Sequence, residues 1–488
     1  MPFFLLAVIA LAFLQTTWPT PLFPISAQGS AIAQGLLVAG YALLVSVLVG
    51  RCRWQLLTAE PCDRPAVLRR ALTVRRWCYL GWLFVAVLAL YLTGWGRVVQ
   101  QMMTFPAGKC PGLELVILLP LLVGVLFGWQ RFYFLERTVH RLGHDRDKPF
   151  LSCREYLLLQ TRQNFILAIP PFLLLVLKDL LAFSFPKLLA SEQGMAILVG
   201  GLLGCLFVGQ GGLMRLILGL KPLPPGPLRD RLMETARRLQ FRYSDILVWN
   251  THDTLATALL TGPLAFMRYV VLTDRLIEHM TEEEIEAVFG HEIGHVKHHH
   301  MLFGFGFMLT SIVLLLAAWD LCLDRIETVL PTAWLQSLGL FGSSATGWLL
   351  HLPFLLALAG YVFVVFGFLS RSGERQADLF ACRNVSYEAF VSALEKVAHI
   401  NGMSRHRRGW FSSWRHPTID ERIEFLRTMI TTPSLQMRFQ QTHRVVKLGM
   451  VLALACVFLL MGPTRVLALF ESSPSQKDTA SVSHSQIH

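Results

Sequence analysis

The apolar positions of this chain are gathered into long runs separated by basic or polar stretches. The runs fall at roughly 3–18, 31–50, 77–95, 113–130, 164–184, 195–219, 302–320, 349–370 and 446–466. About twenty consecutive apolar residues are what a helix needs to cross the hydrocarbon core of a bilayer. The pattern therefore predicts a mainly α, polytopic helical membrane protein. Residues 1–220 carry about six spans, 302–370 a two-span hairpin and 446–466 a closing span. The first run lacks a basic flank and reads as an uncleaved span; a signal peptide processed near Ala27 is the alternative.

Two stretches are polar and long enough to fold outside the bilayer, 221–301 and 371–445, and the hairpin separates them. Within the first, KPLPPGP (Lys221–Pro227) cannot be helical and reads as a linker, and Leu228–Gln240 has helical spacing. SDILVWN (Ser244–Asn250) alternates and RYVVLTD (Arg268–Asp274) is β-branched, so both predict strands. Thr281 followed by Glu284 is a capping-box signature, and the acidic first turn suits a helix N-terminus. That helix is expected to run from about Glu282 to the end of HEIGHVKHHH at His300. Residues 467–488, rich in Ser and Gln, predict a disordered tail.

Charge orients the set. The loop after the second run holds seven arginines from Arg51 to Arg76, and the loop after the fourth holds Arg131, Arg137, Arg141, Arg146 and Lys148. The intervening loops 19–30 and 185–194 are nearly free of them. The positive-inside rule places the basic loops, and with them 221–301 and 371–445, in the cytoplasm. The expected location is a bacterial inner membrane with the site toward the cytoplasm. The net charge of +12 fits loops facing an anionic leaflet. No basic module with interleaved aromatics is present, which excludes nucleic acid as a partner. Nine scattered cysteines without a C-x-x-C pair argue against a disulfide framework or a cysteine zinc site. Lys178 and Asp179, late in the fifth run, are either a cavity lining or an interfacial pair. Nothing in the pattern sets an oligomeric state.

The chemistry concentrates in HEIGHVKHHH. On a helix His291 and His295, at i and i+4, project from one face at a spacing that lets two imidazoles share one zinc ion. Glu292, beside the first, can reach a water without ligating the metal, so the H-E-x-x-H arrangement offers two ligands and a general base. His298 lies on the same face as His291, but seven residues is about 10.5 Å of rise. Zinc–nitrogen bonds are only about 2.0–2.1 Å, so the third ligand must come from another segment. The best candidate is SRSGERQADLFA (Ser370–Ala381), where Glu374 and Asp378 share a helix face. Glu374 can close the site, and Asp378 can orient a ligand imidazole. A surface ion-pair helix is the alternative reading of this stretch.

RYVVLTDRL, TEEEIEAVFGHEIGHVKHHH, SRSGERQADLFA and RHPTIDERIEFL together resemble the membrane-integrated zinc metalloproteases that include the type 1 CAAX prenyl endopeptidases and the bacterial heat-shock membrane proteases. The resemblance covers about residues 228–430. It implies a zincin-type metalloprotease domain, with a catalytic helix and a small edge-strand sheet, split by the transmembrane hairpin. It implies Zn2+ held by His291, His295 and Glu374, with Glu292 as base and Asp378 supporting the metal site. It implies that His416 and Arg422 approach the substrate carbonyl or oxyanion, and that His300 is structural. The segment Thr257, Ala258, Leu259, Leu260, Thr261, Gly262 resembles the family's edge strand beside bound peptide, although Thr257 stands where the family usually has Asn. The number of spans exceeds that usual for either subgroup. The partners implied are a peptide or membrane-protein substrate and the lipid bilayer. Two other functions remain open: a membrane sensor-protease, and a non-enzymatic membrane protein with structural zinc.

Overall fold

The computed structural model describes residues 26–105, 108–109, 112–142, 149–166, 168–185, 191–329, 360–361, 364, 366–402 and 417–468. The N-terminal part is a helical bundle. Helix α1 (Ala27–Thr58) packs against α2 (Arg64–Val87, extended by a π-helical turn at Leu88–Leu92) and α4 (Leu113–Leu142); the short α3 (Trp95–Met102) fills the end. Their shared core includes Val45, Trp82, Ile117, Leu121 and Phe132. Among the described residues, four helices are long and apolar enough to cross a membrane: Ala27–Thr58, Arg64–Leu90, Leu113–Leu142 and Gly200–Leu218. The last lies in α7 (Glu192–Leu218).

The apolar run at 164–184 does not form one helix. It is divided between α5 (Cys153–Phe165) and α6 (Ile169–Ser184). Pro170 and Pro171 account for the break. Proline fits the first turn of a helix but cannot donate to the turn before it. Lys178 and Asp179 in α6 pair with each other at 3.3 Å. The expected first span at 3–18, the tail at 469–488 and most of the run at 349–370 lie outside the described residues.

A four-stranded sheet follows the bundle. Its strands are β1 (Lys221–Pro222), β2 (Asp245–Trp249), β3 (Ala258–Thr261) and β4 (Tyr269–Thr273), in the spatial order β1-β2-β4-β3. The stretch read as a linker thus contributes β1, and Pro227 opens α8 (Pro227–Arg238). Strands β2 and β4 are parallel, with Asp245 opposite Tyr269 and Trp249 opposite Thr273. All five residues of β4 are buried, which is why Tyr269, Val270, Val271 and Leu272 are apolar in succession rather than alternating with polar positions. Strand β3 is antiparallel to β4 and forms one edge of the sheet.

Helix α9 (Asp274–His279) leads into α10 (Glu282–Lys297). Leu232, Phe241, Val270, Leu272, Phe289 and Ile293 bury the inner face of α10 against the sheet and α8. Helix α11 (His300–Val329) carries the apolar run at 302–320, and the run at 446–466 lies in α15 (Pro433–Ala468). Between them α12 (Gly367–Asn384), α13 (Tyr387–Ile400) and α14 (Ile419–Thr431) close over the other side of α10 around Ala287, Leu379, Phe390 and Leu426.

Candidate metal centre

The N-terminus of α10 is fixed as its sequence predicts. Thr281 Oγ1 accepts from the Glu284 amide and the Glu284 carboxylate accepts from the Thr281 amide. Glu284 also accepts from Ser392 Oγ at 2.6 Å and Lys396 Nζ at 2.8 Å, which ties α13 to the start of α10. Two residues on, Glu286 accepts from Thr235 Oγ1 and Arg231 Nε, both at 2.6 Å, and from Arg238 at 3.1 Å, tying in α8. The helix is thus held on two sides before it reaches His291.

The far end differs from the expectation. Helix α10 stops at Lys297 rather than running through the histidine cluster. The His298 amide closes the last turn on the Gly294 carbonyl, and His299 adopts a left-handed conformation with φ of 55°. A non-glycine residue there costs about 1–2 kcal/mol, and the turn it makes starts α11 in a new direction at His300.

Gly294 sets the distance between α10 and α12. A Cβ at this position would lie 2.9 Å from the Ala377 Cα, a backbone atom that cannot swing away. The absent side chain lets the two helices touch along their backbones. Glu374 and Asp378, one turn apart on α12, are thereby delivered to the face of α10 that carries His291 and His295. Glu374 is 7% exposed and Asp378 fully buried, so each carboxylate requires compensating partners.

Those partners form two chains of contacts. In the first, Asp378 Oδ1 lies 2.9 Å from His291 Nδ1, and Asp378 also accepts from Arg422 Nε at 2.8 Å and from Nη2. Burial opposes the charge on Asp378, but Arg422 and His291 hold its carboxyl below the usual range. The His291 ring stacks on Phe390, with centroids 5.5 Å apart. A proton on His291 Nδ1 facing Asp378 leaves Nε2 with its lone pair.

In the second chain, His295 Nδ1 lies 2.9 Å from His300 Nδ1, and His300 Nε2 lies 2.9 Å from Gln376 Oε1. An amide oxygen only accepts, so His300 carries its proton on Nε2 and accepts at Nδ1. His295 must then donate from Nδ1, and its Nε2 is also left with a lone pair. Burial, followed by the neighbouring His291, pushes His295 down to about 4, so it is a neutral imidazole near neutral pH.

The free nitrogens converge. His291 Nε2 and His295 Nε2 are 3.2 Å apart, and each is 3.7 Å from an oxygen of Glu374. Two ligands about 2.0–2.1 Å from one zinc at a tetrahedral angle stand about 3.3–3.4 Å apart. Three donors at these separations, two imidazoles and a carboxylate, fit such an ion. Glu292 does not belong to this triplet; it faces the adjoining cavity.

That cavity measures about 1400 Å3. Its walls include His291, His295, Glu374 and Arg422, and the edge-strand residues Thr257, Ala258, Leu259, Leu260 and Gly262. Thr261 is the exception in that segment: it is buried and not in the cavity wall. Thr257 is held to β4: its amide donates to Thr273 Oγ1 at 2.9 Å. His416 lies outside the described residues. Lys178 and Asp179 are not in the wall.

The contacts of three residues at the site carried no sequence signal strong enough to place them. His300 was legible as a structural residue but not as the partner of His295, because the left-handed turn at His299 brings it back. Gln376 lies within SRSGERQADLFA but nothing there marks it as a partner of His300, and Phe390 had no motif at all.

The H-E-x-x-H helix α10 thus meets a carboxylate from a second helix, α12, beside an edge-strand sheet, the arrangement expected of a zincin-type site. Comparison with known proteins is consistent with this. Residues 225–430, which take in α8 through α14, match the sequence profile of peptidase family M48. The segment is 27% identical over 212 residues to a CAAX prenyl protease 1 homolog from Oryza sativa, covering 42% of this chain and 48% of that protein. It is 23% identical over 214 residues to protease HtpX from Actinobacillus pleuropneumoniae, covering 41% of this chain and 72% of that one. The chain thus spans about half the length of the plant relative. The crystal structure of Ste24p from S. mikatae superposes with a TM-score of 0.50 at 17% identity, over 84% of this chain and 100% of that one, which shows a shared fold.

Proposed function

We propose that this chain is a zinc-dependent membrane endopeptidase that hydrolyses peptide bonds in membrane-associated, misfolded membrane or lipidated protein substrates. The observation that carries the reading is the convergence of His291 Nε2, His295 Nε2 and the Glu374 carboxylate at zinc-ligand separations. Among the described residues this is a three-donor set facing a cavity. A structural zinc is usually closed by four protein ligands, whereas a catalytic one keeps a position open. The geometry therefore favours catalysis over a structural metal.

His291, His295 and Glu374 would hold the ion. Zinc bound there supplies Lewis-acid polarisation and activates water. Asp378 orients His291, and the His300–Gln376 pair orients His295, so both imidazoles present Nε2 before any ion arrives. An extended substrate pairs its main chain with β3 along the cavity wall, as strand addition to a sheet edge allows. The Glu292 carboxylate takes a proton from the attacking water and hands it to the nitrogen of the leaving amine. Arg422 is first a partner of Asp378. Its Nη2 is also 3.9 Å from Glu374, so its charge stabilises both buried carboxylates. His416, from the family resemblance, remains the proposed donor to the developing oxyanion. The site belongs on the cytoplasmic side of a bacterial inner membrane if the arginine-rich loops set the orientation.

The test is Glu292→Gln in the detergent-purified chain. We expect it to retain zinc by elemental analysis and to lose cleavage of casein and of a fluorescent membrane-protein substrate. Cleavage at the wild-type rate would overturn the mechanism.

A further inference from the structure

Helix α2 forms part of the wall of the cavity that holds the metal-ligand cluster. The residues it contributes are Arg69, Leu72, Thr73 and Arg76, spaced i, i+3, i+4 and i+7 along one face. The opposite face, with Ala71, Cys78, Tyr79 and Trp82, is buried in the bundle. The arginine face is therefore turned away from the helical core and toward the space above the cluster. This helix lies outside the segment matched by the protease family, residues 225–430.

The other cations in the wall are engaged. Arg268 donates to the carbonyls of Arg242, Gly262 and Pro263, and Arg422 is paired with Asp378. Neighbouring Arg75 is paired with Glu136. No carboxylate among the described residues pairs with Arg69 or Arg76, and both side chains are exposed to the cavity. Two guanidinium groups two turns apart, about 10.5 Å along the helix, match the reach of an extended peptide carrying one or two carboxylates. A low-dielectric wall strengthens such contacts relative to open water.

We infer that Arg69 and Arg76 form a selectivity element that binds carboxylate groups of the substrate peptide, so that the enzyme prefers acidic segments. The inference rests on the protease reading for its substrate, but not for its test. The inactive Glu292→Gln chain is titrated with labelled peptides by fluorescence anisotropy at low and high salt. One peptide carries two internal glutamates. A second has glutamines in their place, and a third keeps the glutamates but ends in an amide, which separates side-chain carboxylates from the terminal one.

The acidic peptide is expected to bind about fivefold or more tightly than the glutamine peptide at low salt, with the difference shrinking as salt rises, as partly screened charge contacts require. Adding Arg69→Gln and Arg76→Gln should collapse that ratio to near one. Arg69→Lys with Arg76→Lys should restore most of it, and Arg70→Gln, on a residue that is not in the cavity wall, should keep it. A ratio that survives the double glutamine change, or affinity that falls equally for all three peptides, would overturn the inference. If the peptides bind as expected but wild-type chain cleaves none of them, the protease reading fails and the carboxylate site stands.

Discussion

His295 and His300 meet Nδ1 to Nδ1 at 2.9 Å across the left-handed turn at His299. The contact fixes which nitrogen of His295 is free, because His300 is itself fixed by Gln376. His300→Ala removes the acceptor and leaves a buried N–H unsatisfied. The expected result is a loss of metal affinity of about 10–100-fold, the usual effect of removing a residue that orients a ligand. Competition with a chromophoric chelator measures it. An unchanged affinity would mean that His295 is held by its own rotamer alone.

Gly294 and Ala377 define how closely α10 and α12 approach. In Gly294→Ala the new methyl sits 2.9 Å from a backbone carbon, so the helices must separate. Overpacking of this kind costs about 1–3 kcal/mol, and it displaces Glu374 from the two histidines. We expect a lower thermal midpoint together with weaker metal binding. Gly290→Ala is the comparison. There the clash, at 2.6 Å, is with Val385 Cγ2, a side-chain atom on a residue that follows α12, and metal binding should suffer less.

Much of this arrangement was legible in the sequence because it depends on local rules. The strands at 245–249 and 269–273, the cap at Thr281 and the placing of His291 and His295 at i, i+4 on one helix all follow from period, propensity and capping. His298, set aside on helix rise, stacks on His300 outside the three-donor group. What was not legible depends on contacts distant in sequence or on a single backbone choice. The Arg422–Asp378 pair joins residues 44 positions apart, and the α5–α6 break overrides a continuous apolar run. The end of α10 turns on the φ of His299, and the histidine preference for that region is too weak to single it out among three successive histidines.

Acid should destabilise the packing of α8 on α10 through Glu286. Burial raises its pKa, but the hydrogen bonds from Thr235 and Arg231 and the charges of Arg231 and Arg238 more than offset that, so the folded value lies below the usual one. A carboxylate with a depressed folded pKa contributes stability above the unfolded value, about 4.3 for Glu. That contribution is lost as pH falls through the folded value. The gap in thermal midpoint between wild type and Glu286→Gln should therefore be full near pH 7 and close as the pH drops below about 4.3. A gap that widened in acid would contradict the assignment.

Asp378 and Arg422 are both buried, 0% and 9% exposed, and each is the other's principal charge partner. Removing one member of a buried ion pair leaves an uncompensated charge and costs about 3–5 kcal/mol. Replacing both with apolar residues of similar size is often neutral. Asp378→Leu alone should accordingly lower the thermal midpoint sharply, and Arg422→Met alone should do the same. The double variant should recover much of that stability. It should not recover metal affinity, because His291 Nδ1 will have lost the carboxylate that holds its ring and tautomer. Thermal unfolding and chelator competition on the four proteins separate the two effects. If the double variant regained both, Asp378 would serve only to neutralise Arg422, and His291 would be held by its stacking on Phe390.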